Sequence, residues 1–300
     1  MKKEIVVNVD HGETRAALLE DRRLVELYVE REDQQRVVGN IYKGRVENVL
    51  PGMQAAFVDI GLERNAFLYV DDALAHRNGH NGDDEPVEGS RYPSIKDILK
   101  EGQQIIVQVT KEAIGTKGAR VVTQVSLPGR YFVLMPTVEY VGISRRISDE
   151  AERARLKAIA KHIRPKGMGL IVRTVAEGKE EAELVQDCQF LVRDWERIRA
   201  KAKRSSAPAL LYRDHDLVYR IVRDMLTPDV DKLIIDHEGE YRKVLELTES
   251  LSPHLKDRIY LYHEGPPIFE SYGIEPEIER ALDRRVWLDC GGYLVIDHTE

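Results

Sequence analysis

The sequence predicts a multidomain α+β protein built around a small β-barrel, and three observations carry that prediction. Residues 4–29 alternate apolar and polar, with turns at His11-Gly12-Glu13 and Glu20-Asp21-Arg22-Arg23, which is the pattern of an antiparallel meander. Residues 37–125 hold short strands punctuated by Gly44, Pro51-Gly52 and Gly61, as the corners of a small barrel require. Beyond Ser205-Ser206-Ala207-Pro208 the rhythm becomes helix, strand, helix, strand, an α/β unit with a parallel pair.

The meander strands are 4–9, 15–19 and 24–29, and the barrel strands 40–46, 54–61, 104–109 and 120–125. Residues 75–93 have loop composition, with His76, Gly79, His80, Gly82 and Pro86. A strand at 131–135 precedes a polar helix capped at its start by Ser148, and 168–175 is an apolar strand. In the helix from Lys179 to Lys203, Leu184, Cys188, Leu191, Trp195, Ile198 and Ala202 recur at spacings of four and three, so they form one buried stripe. Helices at 214–226 and 240–251 alternate with strands at 232–236 and 258–262. A last helix at 275–282 leads into strands at 286–289 and 293–297.

Composition excludes several classes. With 42% hydrophobic and 32% charged residues, and no apolar run near the roughly 18 residues of a bilayer span, the chain reads as soluble and cytoplasmic. Cys188 and Cys290 are too few for a disulfide framework or a zinc cage and are expected to be buried small hydrophobes. The net charge of −7 argues at first against a nucleic-acid partner, yet residues 120–204 carry 18 Lys and Arg against 11 Asp and Glu. That segment is +7 and the remainder −14, and a polyanion responds to the local field.

Phe57 and Phe67 fall on neighbouring barrel strands, where exposed rings stack on bases while Lys43, Arg45, Arg64 and Lys117 hold phosphates. Spacing alone leaves open whether the two rings are that platform or barrel core. Asp10, Glu13, Asp236 and Glu238 are strand-end acids that read as solvated scaffold rather than a two-metal site. His76 and His80 sit in a loop and not on a helix face, and Asp214-His215-Asp216 reads as a helix start.

Four blocks resemble the ribonuclease E/G family: Gly39-Asn40-Ile41-Tyr42-Lys43-Gly44, Gln54-Ala55-Ala56-Phe57-Val58-Asp59-Ile60-Gly61, Gly142-Ile143-Ser144-Arg145-Arg146 and Gly167-Met168-Gly169-Leu170-Ile171-Val172-Arg173-Thr174. The likeness continues through residues 293–300. The resemblance implies an S1 (OB-fold) β-barrel inserted in a split RNase H-like α/β subdomain, plus an α/β 5′-sensor. It divides the chain into a first RNase H-like segment (1–35), the S1 barrel (36–127), the 5′-sensor (128–205), a second RNase H-like segment (206–279) and the truncated start of a DNase I-like subdomain (280–300).

The resemblance further implies a Mg²⁺-dependent endoribonuclease of RNA processing and decay, including rRNA processing, that acts on single-stranded RNA with a 5′-monophosphate and forms homo-oligomers. Its RNA-gripping residues fall on Phe57, Phe67 and Lys117, with Lys43 beside them, and its 5′-phosphate pocket on Gly129, Val133, Arg173 and Thr174, with Arg145 and Arg146 beside it. The family's Asp-x-Asn motif and later Asp, which ligate Mg²⁺, are not found after Asp297, so this chain is expected to lack the catalytic aspartates and to be inactive alone. A non-catalytic S1-type RNA-binding protein is the alternative.

Overall fold

Strands β1 (Lys3–Asp10), β2 (Glu13–Glu20) and β3 (Arg23–Arg31) form the expected antiparallel meander. The structure is a computed structural model that describes residues 2–33, 36–73, 93–263, 265–288 and 290–297; His76 and His80 lie outside the described residues. The chain divides into two compact units, one of residues 1–35 and 215–300, the other of residues 36–214.

The second unit begins with the barrel. Strands β4 (Ile41–Leu50), β5 (Ala55–Asp59) and β6 (Ala66–Tyr69) are followed by the short helices α1 (Val70–Ala73) and α2 (Ile95–Ile98), then β7 (Gln104–Lys111) and β8 (Arg120–Val122). The five strands close in the order β4-β5-β6-β8-β7 and back to β4, with β6 and β8 parallel. Alternation fills the interior: Ala56, Val58, Ala66 and Leu68 are buried, while Phe57 and Phe67 between them are half-exposed. Gly118 is obligatory before β8, because a Cβ there would lie 2.0 Å from the Asn65 carbonyl oxygen.

The same unit continues with a four-stranded sheet of β9 (Leu127–Pro128), β10 (Phe132–Met135), β11 (Val141–Ile143) and β12 (Gly169–Val172), in the order β11-β12-β10-β9. Helices α3 (Glu150–Ile163) and α4 (Glu181–Arg204) pack on it. The N-cap of α3 is Asp149 and not Ser148; its carboxylate accepts from the Glu152 amide at 2.9 Å, and an anion at that end also suits the helix dipole. All six predicted stripe residues of α4 are buried.

Strand β13 (Ala209–Tyr212) pairs antiparallel with the start of β4. The two compact units divide after Asp214, and β-pairing of residues 209–212 holds this stretch to the barrel. Sequence periodicity does not show this, because β13 is too short to reveal its partner.

In the first unit, α5 (Leu217–Arg220) starts at an Asp216 N-cap, as expected for a helix start, but passes at once into a single π-type turn at 221–225. Strands β14 (Lys232–Ile235) and β15 (Ile259–Leu261), with α6 (Glu238–Leu251) between them, extend the meander to a five-stranded sheet, β15-β14-β1-β2-β3. The β1–β14 and β14–β15 pairs are parallel. Helices α7 (Ile268–Ser271) and α8 (Glu275–Leu282) cover Val6, Ala17 and Leu19 through Ile268, Phe269 and Ile274. Strands β16 (Arg285–Trp287) and β17 (Tyr293–Val295) make a hairpin, and Cys290 at its turn is exposed, against expectation, because the turn has no core to enter. No helix among the described residues is long and apolar enough to cross a membrane.

Buried Gln108 ties the barrel to the sheet that follows. Its amide donates to the Gly39 and Ser126 carbonyls at 3.0 and 2.9 Å and accepts from the Ser126 amide at 2.8 Å. Gln108→Leu strands these groups and is expected to cost about 2–3 kcal/mol, read as a lower urea midpoint at unchanged slope.

Candidate nucleic-acid interface

On the barrel, the register sets Phe57 directly across from Phe67, with ring centroids 6.0 Å apart in an edge-to-face arrangement. Interior positions are taken by their small and aliphatic neighbours, so the rings belong to the outer surface and the core alternative falls. The Phe67 amide donates to the Ala119 carbonyl at 2.7 Å, which lays the turn carrying exposed Lys117 beside the strand carrying Phe67. That turn is held by Arg64, whose guanidinium donates to the Gly115 carbonyl.

Lys43 is placed otherwise than the sequence suggests. Its ammonium donates to the Ala202 and Ser205 carbonyls at 2.9 and 2.8 Å, satisfying orphan acceptors at the C-terminus of α4. Arg45 likewise donates to the Ala207 carbonyl at 3.1 Å. Lys43 is thereby committed to fastening α4 onto the barrel, while Arg45 holds the segment after it through one guanidinium nitrogen and stays exposed.

The second cluster forms where β9, β11 and β12 end. Asp187 on α4 accepts three successive amides, from Arg130 at 3.0 Å and from Tyr131 and Phe132 at 2.9 and 3.0 Å. Burial raises the Asp187 pKa above the usual carboxylate range, although these hydrogen bonds and Arg173 oppose the shift. The loop lies so close that a Cβ on Gly129 would meet the Asp187 Oδ2 at 2.7 Å. The freed Gly129 carbonyl accepts from the Arg173 Nη1 at 2.6 Å, and the Arg173 amide donates to the Tyr131 carbonyl at 2.8 Å.

Thr174 and Ser144 face each other with hydroxyls 2.9 Å apart. One hydrogen bond joins two hydroxyls, so one O–H stays available as a donor. Val133 pairs in register with Ile171 on the half-exposed face of the sheet, and Arg145 and Arg146 follow Ser144 with exposed side chains. Arg130 is 3% exposed, and its pKa is lowered first by burial and also by repulsion from Arg173. Asp187 is the anion beside both guanidiniums: its charge raises the Arg130 pKa, and Arg173 in turn lowers that of Asp187. Gly129, Arg173, Thr174 and the Ser144-Arg145-Arg146 segment thus come together, with Val133 on the adjoining sheet face.

The sequence alone does not single out Ser144 and Asp187. Ser144 precedes an Arg pair, and that adjacency is the signal that could mark it. Asp187 sits next to Cys188 at the margin of the α4 stripe, where a carboxylate needs a partner.

The candidate acids do not converge. Asp10 lies beside His11 at 3.4 Å, Glu13 pairs with Arg31 at 2.5 Å, and Glu238 pairs with Arg242. Asp236 accepts from the Asn8 side chain and the Val9 amide at 2.6 and 2.9 Å. Asp297 pairs with Arg284 at 2.5 Å across the last hairpin. Among the described residues no group of three or more His, Cys, Asp or Glu is placed to hold a metal ion.

Glu152 clasps the segment after Thr174: its carboxylate takes Arg155 through two 2.7 Å bonds and the Gly178 amide at 2.8 Å. The Arg155 hydrogen bond first, then the Gly178 amide, lower its pKa from 4.5 to about 2. A depressed carboxylate pKa contributes stability above the unfolded value and loses it as pH falls through the folded one. An NMR titration is expected to show the Glu152 carboxyl titrating near 2, and Arg155→Gln to return it toward 4.5. For Asp187, replacement by Ala orphans three buried amides, and a loss of about 2–4 kcal/mol in denaturant unfolding is expected.

The model of the Ribonuclease E/G family matches residues 126–300. Ribonuclease G of Haemophilus influenzae is 44% identical over 297 residues, covering 99% of this chain and 60% of that protein. Ribonuclease G of Escherichia coli is 42% identical over 300 residues, covering 100% and 61%. Ribonuclease E of a Nostoc species is 40% identical over 305 residues, covering 100% and 42%. The chain thus spans three fifths of the ribonuclease G proteins it matches. On the family match and these full-chain similarities, the chain belongs to the ribonuclease E/G family.

Proposed function

We propose that these residues form the RNA-binding and 5′-monophosphate-sensing portion of a ribonuclease E/G-type endoribonuclease acting on single-stranded RNA. The observation that carries the reading is the strand-end cluster: a guanidinium aimed by the Gly129 carbonyl, a hydroxyl pair and two exposed arginines. A planar fork and a hydroxyl donor suit a terminal phosphate with its extra charge.

Family membership and the closed five-stranded barrel support its reading as an S1-type OB-fold, with the outward Phe57 and Phe67 rings as a base-stacking platform and Lys117 beside it for phosphate. The five-stranded sheet with its parallel pairs supports an RNase H-like scaffold whose acids serve structure. Cleavage, Mg²⁺ dependence and roles in RNA decay and rRNA processing belong to this proposal for the whole protein. The non-catalytic alternative has no observation in its favour.

Fluorescence anisotropy with otherwise identical RNAs tests the sensor. The parent chain is expected to bind 5′-monophosphate RNA about 10- to 100-fold tighter than 5′-hydroxyl RNA, the scale of charge-assisted hydrogen bonds. Arg173→Ala is expected to bind both alike; an undiminished preference refutes the assignment. Phe57→Ala is expected to weaken binding about tenfold or more with its thermal transition within a few degrees of the parent's; collapse of that transition refutes the platform.

A further inference from the structure

The outer face of α4 carries charge that neither the barrel platform nor the 5′-end cluster uses. Opposite the buried stripe, Phe190, Arg193, Arg197 and Arg204 succeed one another at spacings of three, four and seven residues, which stacks them along one side of the helix. All four are exposed, Phe190 to 40%. Residues 193–204 hold six Lys and Arg against two Asp and Glu. Among the described residues, Arg197 alone of the six has an acidic partner, Asp194 at 3.2 Å. A shallow recess of 340 Å³ lined by Glu196, Arg199, Ala200, Lys203 and Arg204 borders this face.

Complementing the helix dipole does not account for it. That effect fades within the last turn, whereas Arg193 and Arg197 stand about three and two turns from the end. The terminal carbonyls of Ala202 and Ser205 are moreover already met by Lys43. An exposed ring beside a row of cations is the combination that an unpaired nucleic-acid strand recognises, bases stacking on the ring while guanidiniums meet phosphates.

We propose that the outer face of α4 is a second binding track for single-stranded RNA, with Arg193, Arg197 and Arg204 on successive phosphates and Phe190 stacked on a base. The track rests on the reading of this chain as RNA-binding. It lengthens the bound strand beyond the barrel and the 5′ end, through contacts that read backbone and stacking rather than sequence.

The test uses a 5′-hydroxyl oligouridine of about twenty nucleotides, which removes the 5′-end contribution and spans more than one site. Affinity is measured over a salt series for the parent, Phe57→Ala, Phe190→Ala and the triple variant Arg193→Gln, Arg197→Gln, Arg204→Gln. Loss of three phosphate contacts is expected to flatten the slope of log K against log salt by about 2 and to weaken binding at least about tenfold. Phe190→Ala is expected to weaken binding about tenfold. All four side chains are exposed, and thermal melting checks that each variant folds.

Unchanged slope and affinity in the folded triple variant, with Phe57→Ala still weakening binding, overturn the track and leave the RNA-binding reading standing. A parent chain that binds no RNA overturns both. If the triple variant keeps its RNA affinity but loses binding to phosphatidylserine vesicles, the face belongs to an anionic membrane surface and the proposal falls.

Discussion

The carboxylate of Asp187 gathers the amides of Arg130, Tyr131 and Phe132, and the strand-end cluster around Arg173 depends on that arrangement. A loop that enters a sheet must find partners for its amides or leave them buried and unmet. Because α4 supplies those partners from the side, the Gly129 carbonyl is left to aim the Arg173 guanidinium. The loop, the start of β10 and the arginine are thus set by one helical residue, and the cost of burying that carboxylate appears as its raised pKa.

The same helix is fixed at its other end by the barrel. Lys43 on β4 donates to the last carbonyls of α4, and Arg45 to the chain just beyond. A cation that looks available for RNA in the sequence is thereby committed to rigidity, because helix-terminal carbonyls outcompete solvent for a donor held on a neighbouring strand. Within the unit of residues 36–214, α4 carries an Asp that organises one cluster and a C-terminus anchored on the strand that begins the other's barrel.

Legibility follows the length over which a pattern repeats. The α4 stripe is readable residue by residue because about five turns of periodicity leave one solution, and the meander because its turns are marked by glycine and charge. Strands β9, β11 and β13 run for two to four residues and do not show as strands in the sequence, since runs that short carry too little alternation to be read. For Phe57 and Phe67 spacing leaves two readings; the alternation of Ala56 and Val58 with Phe57, and of Ala66 and Leu68 with Phe67, decides for the surface. The site residues themselves come from family resemblance, whereas the hydroxyl partner Ser144 and the carboxylate Asp187 need three dimensions, because neither lies near its partners in the chain.

Charge illustrates why whole-chain arithmetic misleads. A net charge of −7 is a property of 300 residues, but at physiological ionic strength a charge is felt over about 8 Å. A phosphate beside Arg173 or along α4 responds to the guanidiniums within that radius and hardly to acids elsewhere in the chain. Many of those acids are in any case paired, as Glu13 is with Arg31 and Glu152 with Arg155. A cation already neutralised by a neighbouring carboxylate adds little to the field a phosphate meets, so the informative quantity is uncompensated charge per unit of surface. By that measure the segment from Ser144 to Arg146 and the outer face of α4 are cationic surfaces within an otherwise acidic chain.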